Sequence, residues 1–133
     1  MKIPLVVGLA LSAFPANAAA WQWFGHAADG SNVAIDLSSI YRDGARVKFW
    51  TKWDFSGVKS RKEHSSINLN LGDCQQNSLG LISTTGYTVD GSVTWSQSFP
   101  EYAVAMDPAI PESIGDMMLK KACAIAAGTD KGF

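Results

Sequence analysis

The chain has 133 residues, of which 47% are hydrophobic and 17% charged, with a formal net charge of −1. That length suits one domain, the apolar fraction is too high for intrinsic disorder, and near-neutrality argues against a general nucleic-acid binder. No internal repeat suggests a solenoid or fibre.

Met1–Ala20 reads as a secretory signal peptide. Lys2 precedes an apolar run from Ile3 to Phe14, and the segment closes on Ala16-Asn17-Ala18 or Ala18-Ala19-Ala20. The run is too short for a membrane span, which takes about 20 residues, and no other stretch is long enough. No cysteine sits near the cleavage region, so no lipid anchor is expected. The mature protein is expected to be exported, either periplasmic or secreted to the outer surface.

Strand patterns dominate the next eighty residues. Trp21–His26 is short and aromatic, Asp29–Asn32 is a turn, and Val33–Leu37 is a second strand. Ser38–Asp43 suggests a tight helical turn. In Ala45–Phe55 the residues Val47, Phe49, Thr51, Trp53 and Phe55 share one face, and Arg46, Lys48, Trp50 and Lys52 the other. Ser56–His64 is a polar, basic loop, and Ser66–Leu71 alternates again, with Ile67, Leu69 and Leu71 on one face. Leu81–Val89 and Ser92–Phe99 flank Asp90-Gly91, which favours a two-residue hairpin.

The period then changes. Ser113 and Asp116 fit a capping box behind Pro108 and Pro111, and Ile114, Met118, Leu119, Ala122, Cys123, Ile125 and Ala126 gather on one side of a helical wheel. Asp116, Lys120, Ser113 and Lys121 fall opposite, and Gly128 is a stop. This helix is the candidate cover for the apolar sheet face.

Cys74 and Cys123 are the only thiols. In an exported protein an even count implies a disulfide, here closing a loop of about 50 residues. The competing reading, a redox or metal site, has no C-x-x-C pair, and His26 and His64 do not complete a ligand set. No metal and no cofactor is expected.

In order, the chain presents Trp21, then Val33-Ala34-Ile35-Asp36 with Ser39-Ile40, then Val47-Lys48-Phe49-Trp50. Asp73-Cys74, Tyr87, Trp95, Pro100 and Cys123 follow. This pattern resembles the bacterial surface-adhesin protein E family. The resemblance implies an α+β domain over residues 21–126, followed by a short tail over 127–133. Its fold would be an antiparallel sheet of about six strands, with a C-terminal helix on the concave face tethered by the Cys74–Cys123 disulfide. It also implies a non-catalytic protein of the cell envelope that binds matrix and serum proteins such as vitronectin and laminin. No binding residue is carried over, because the stretch after the first cysteine, Gln75–Leu79, is uncharged here.

Charge supplies the candidate site. Residues 42–62 hold Arg42, Arg46, Lys48, Lys52, Lys59, Arg61 and Lys62 against Asp43 and Asp54. The row Arg46, Lys48, Trp50 and Lys52, extended by Lys59, Arg61 and Lys62, could hold an acidic protein segment or an acidic polysaccharide. The competing reading is a solvated outer face with lysine stems lying over Trp50. Most of the five tryptophans are expected in the core, with Trp53 inside and Trp50 the best candidate for exposure. Asp36 is expected to cap the Ser38–Ser39 turn. No G-x-S-x-G, H-E-x-x-H, phosphate-loop or EF-hand pattern supports an enzyme. The alternatives are a periplasmic inhibitor or chaperone-like module acting on another envelope protein, and a small apolar-ligand carrier using the cleft between sheet and helix. A free sheet edge could also make a homodimer.

Overall fold

The computed structural model describes residues 19–129. The signal-peptide reading falls outside the described residues except at Ala19 and Ala20, and the tail reading does so beyond residue 129. Ala20 is already tied to the sheet: its N–H donates to Asp36 Oδ1 at 2.8 Å, and its carbonyl accepts from the Leu37 N–H at 3.1 Å.

The strands are β1 (Trp21–His26), β2 (Asn32–Asp36), β3 (Tyr41–Asp43), β4 (Arg46–Asp54), β5 (Ser65–Asp73), β6 (Ser78–Tyr87), β7 (Val93–Ser98) and β8 (Asp107–Pro108). They form one antiparallel sheet ordered β1-β2-β4-β5-β6-β7. Two strands lie off that path. β3 pairs with residues 46–48 of β4, beyond the end of β2, and β8 pairs with residues 78–79 of β6, beyond the end of β7. These two- and three-residue strands are too short to show a period, which is why the sequence suggests about six strands and the sheet has eight.

The Ser38–Asp43 segment divides into a 3₁₀ turn over Leu37–Ser39 and the strand β3. Asp36 caps that turn as expected, with Oδ1 accepting from the Ser38 N–H at 3.0 Å and from the Ser38 hydroxyl at 2.6 Å. Ser39 Oγ in turn accepts from the Trp50 N–H at 3.1 Å, filling the gap between β2 and β3. The Asp90-Gly91 hairpin closes one residue wider than expected. Thr88 N–H donates to the Ser92 carbonyl around Val89-Asp90-Gly91, with Gly91 at φ 88°, the left-handed residue of a three-residue loop.

Helix α1 (Ile114–Ala126) packs on one face, termed the inner face. Ser113 Oγ accepts from the Asp116 N–H at 3.2 Å, and the chain turns out at Gly128, φ 75°. Met118, Leu119 and Ala122 bury against Val33, Ile35, Val47 and Phe49. Gly72 lets the helix come close, because a Cβ there would overlap Leu119. Cys74 and Cys123 are bonded, with Cα atoms 5.9 Å apart.

Asp116 departs from its place on the polar side of the wheel: it is 2% exposed. Its carboxylate is satisfied from three elements, by Lys120 Nζ at 2.9 Å, the Glu112 N–H at 3.1 Å and Asn77 Nδ2 at 3.5 Å. The Lys120 ammonium, followed by the Glu112 N–H, holds this carboxyl below the usual carboxylate range. A value depressed by folding contributes stability that is present above the unfolded value of 3.8 and is lost as pH falls through the folded value. Asp116→Asn is therefore expected to lower the melting temperature at neutral pH. It should also flatten the decline of that temperature between about pH 5 and about pH 2, read by circular dichroism.

Candidate binding face

Register assigns the opposite, outer face. Directly paired residues point the same way, so Lys48 stands beside Leu71, Trp50 beside Leu69, and Lys52 beside Ala34 and Ile67. The apolar residues of β5 therefore share a face with the basic row of β4. Trp50 is 37% exposed and Lys52 half-buried, while Val47, Phe49, Thr51 and Phe55 on the other face are buried. The alternation read from β4 holds, with Trp53 half-buried on the inner side.

The outer face is only partly open. Residues 99–106, including a 3₁₀ turn over Glu101–Ala103, cross it as a strap between β7 and β8. Glu101 forms an ion pair with Lys48, and Val104 lies where a Cβ of Gly80 would be. Leu71 between them is fully buried. The Glu101 carboxylate raises the Lys48 pKa.

The strap divides the predicted basic row. Lys48 is occupied by Glu101, and its ammonium also lies 5.8 Å from the Tyr41 ring centre. Arg46 is exposed but stands opposite Asp43 on β3 and Asp73 on β5. It also lies at the far end of β4 from the basic loop, a separation of roughly 26 Å at strand rise. Arg61 rests over the Phe55 ring at 3.9 Å and reaches Glu63 at 3.3 Å. Lys52, Lys59 and Lys62 remain without an ion-pair partner among the described residues.

Those three lysines border two adjoining open depressions that share His64, Thr88 and Val89. Phe55 N–H donates to the His64 carbonyl, and turns at Val58 and Arg61 fold the segment between. Lys52, His64, Ile67 and Tyr87 line one hollow, of about 410 Å³. Phe55, Lys59, Arg61, Lys62 and His64 line the other, of about 470 Å³. The surface offers fixed positive charge beside aromatic and aliphatic area.

The tryptophans sit farther out than their apolar character suggests. Trp23 is 57% exposed and Trp95 40%, together with Trp50. Trp95 folds over Gly86, where a Cβ would meet the indole at 2.7 Å, and donates to Glu63 Oε1 at 3.0 Å. Neither the strap nor the Trp95–Glu63 bond carries a period or motif, so the sequence gives no sign of them.

Among the described residues no cluster of three or more His, Cys, Asp or Glu could hold a metal ion, and no helix is long and apolar enough to cross a membrane. The Surface-adhesin protein E family profile matches residues 21–124. The chain belongs to this family. Two solved structures of Haemophilus influenzae protein E share its fold. One has 14% identity and a TM-score of 0.51, covering 71% of this chain and 82% of that one. The other has 16% identity and a TM-score of 0.50, covering 85% and 88%. None of the curated proteins compared matches the chain. Family membership makes this a surface-adhesin-like protein, for which binding rather than catalysis is the indicated role.

Proposed function

We propose that the protein is an exported adhesin, released from an N-terminal leader cleaved after Ala18 or Ala20, that binds an acidic macromolecule at the cell envelope through Lys52, Lys59 and Lys62 around the loop between β4 and β5. The observation that carries this reading is the pairing pattern. Of the seven candidate positions, Lys48 and Arg61 have carboxylate partners and Arg46 faces two acidic neighbours, whereas these three lysines gather unpaired at one end of the sheet. Trp50 and Ile67 add apolar area beside Lys52. The unpaired edges of β1 and β7 are where a second copy would add.

Heparin immobilised on a sensor surface serves as the polyanion probe. Replacing Lys52, Lys59 and Lys62 together by Ala is expected to weaken binding roughly tenfold, as three exposed ion pairs would. Lys48→Ala should change it little. Wild-type binding should collapse between about 0.15 M and about 1 M salt, where the screening length shrinks from about 8 Å to about 3 Å. Unchanged affinity in the triple variant would sink the reading. Protease shaving of intact cells tests the location: cleavage places the protein on the outer surface, and protection places it in the periplasm.

A further inference from the structure

We propose that the corner of the outer face where β1, β2 and β4 end is a saccharide subsite that takes a neutral pyranose ring. The Trp23 side chain stands beside Ala34, whose methyl group leaves the indole uncovered and 57% exposed. One row further on, His26, Asn32 and Asp54 are paired directly across three strands and so project from the same face. With Phe24 and Gly25 these residues border an open depression of about 450 Å³, within the range of about 300–1,000 Å³ usual for small-molecule sites.

The polar groups match the hydroxyls of a sugar. The Asn32 amide can donate and accept, as can the His26 imidazole, and neither has a side-chain hydrogen bond to another described residue. Asp54 accepts from the Ser56 N–H at 2.9 Å through Oδ1 and is also held by the Ser56 hydroxyl, and the remaining lone pairs of the carboxylate can accept from a ligand. A pyranose supplies the complement: vicinal hydroxyls on its rim, and a face of C–H bonds with positive edges that rests on the negative face of an indole.

The chemistry also selects against an anion. The Ser56 N–H holds the Asp54 carboxyl below the usual carboxylate range, so it is charged at neutral pH and repels acidic groups. The other charged or titratable groups bordering this row are His26, His64, whose charge also acts on Asp54, and Lys52, which stands two residues before Asp54 on β4. Lys52 borders both surfaces, but the groups assigned to the sugar, Trp23, His26, Asn32 and Asp54, are not part of the lysine cluster, so the two can fail separately.

The probes are the methyl glycosides of glucose, galactose, mannose and N-acetylglucosamine, examined by saturation-transfer difference NMR with the full mature chain. At least one is expected to receive transfer at its ring protons, with an affinity that does not change between low and high salt. Trp23→Ala should abolish the transfer and Trp23→Phe should retain part of it. Asn32→Ala, a second variant in case Trp23→Ala does not fold, should reduce it severalfold. Heparin binding should persist in all three. No transfer to any of the four sugars, or transfer undiminished in a folded Trp23→Ala or Asn32→Ala protein, would overturn the proposal.

Discussion

Replacing Cys74 and Cys123 together by Ser is expected to cost about 4 kcal/mol, because the bond closes a loop of about 50 residues in the unfolded chain. For a domain of this size the melting temperature should drop by roughly 15 °C. The double variant is the informative one, since a single replacement leaves a thiol free to form intermolecular bonds. Thermal melts and urea titrations followed by circular dichroism measure the effect. A loss of less than about 1 kcal/mol would mean that the unfolded chain is already compact enough for the tether to remove little entropy. Cys123 lies in the second half of α1 and Cys74 directly follows β5, so the tether holds the helix over the sheet. The lysine loop sits at the opposite end of β4 and β5. Heparin binding well below the lowered melting temperature is therefore expected to survive.

Much of this architecture was legible because its signals are local. Ser113 and Gly128 bracket the helix within two residues of its ends, since caps depend on chemistry a few residues away. Alternation along β4 separates Val47, Phe49 and Thr51 from Lys48, Trp50 and Lys52, since successive side chains must point to opposite faces. What was not legible depends on partners distant in sequence. Alternation places Ile67, Leu69 and Leu71 together, but only register with β4 puts them on the basic face. Asp116 looks like a solvent-facing helix residue until Asn77, 39 positions away, and the Glu112 N–H are found around it. The candidate site was half legible for the same reason. The sequence lists its cations, but the carboxylate that occupies Lys48 comes from Glu101 on a strap without period, and that contact decides which lysines are left for a partner.

Gly72→Val tests how the helix is seated. In the wild type a Cβ at residue 72 would overlap Leu119 and lie 3.0 Å from Val47 Cγ2, both fully buried. A valine there must displace the helix or force off-rotamer side chains, an expected cost of about 1–3 kcal/mol. Leu119→Ala alone should cost about 2–5 kcal/mol, through lost burial and the cavity it leaves. The two changes are not expected to add. In the double variant the valine methyl groups enter the space vacated by Leu119, so the loss should be smaller than the sum of the single losses by about 0.5–3 kcal/mol, the coupling of residues in contact. Denaturant titrations of the four proteins measure that coupling. Strict additivity would mean that Leu119 and Gly72 do not meet and that α1 docks elsewhere on the sheet. The same four proteins connect packing to binding. If adhesion uses only the outer face, each variant that remains folded at the assay temperature should bind heparin with wild-type affinity and wild-type salt dependence, because none of the substituted positions reaches Lys52, Lys59 or Lys62.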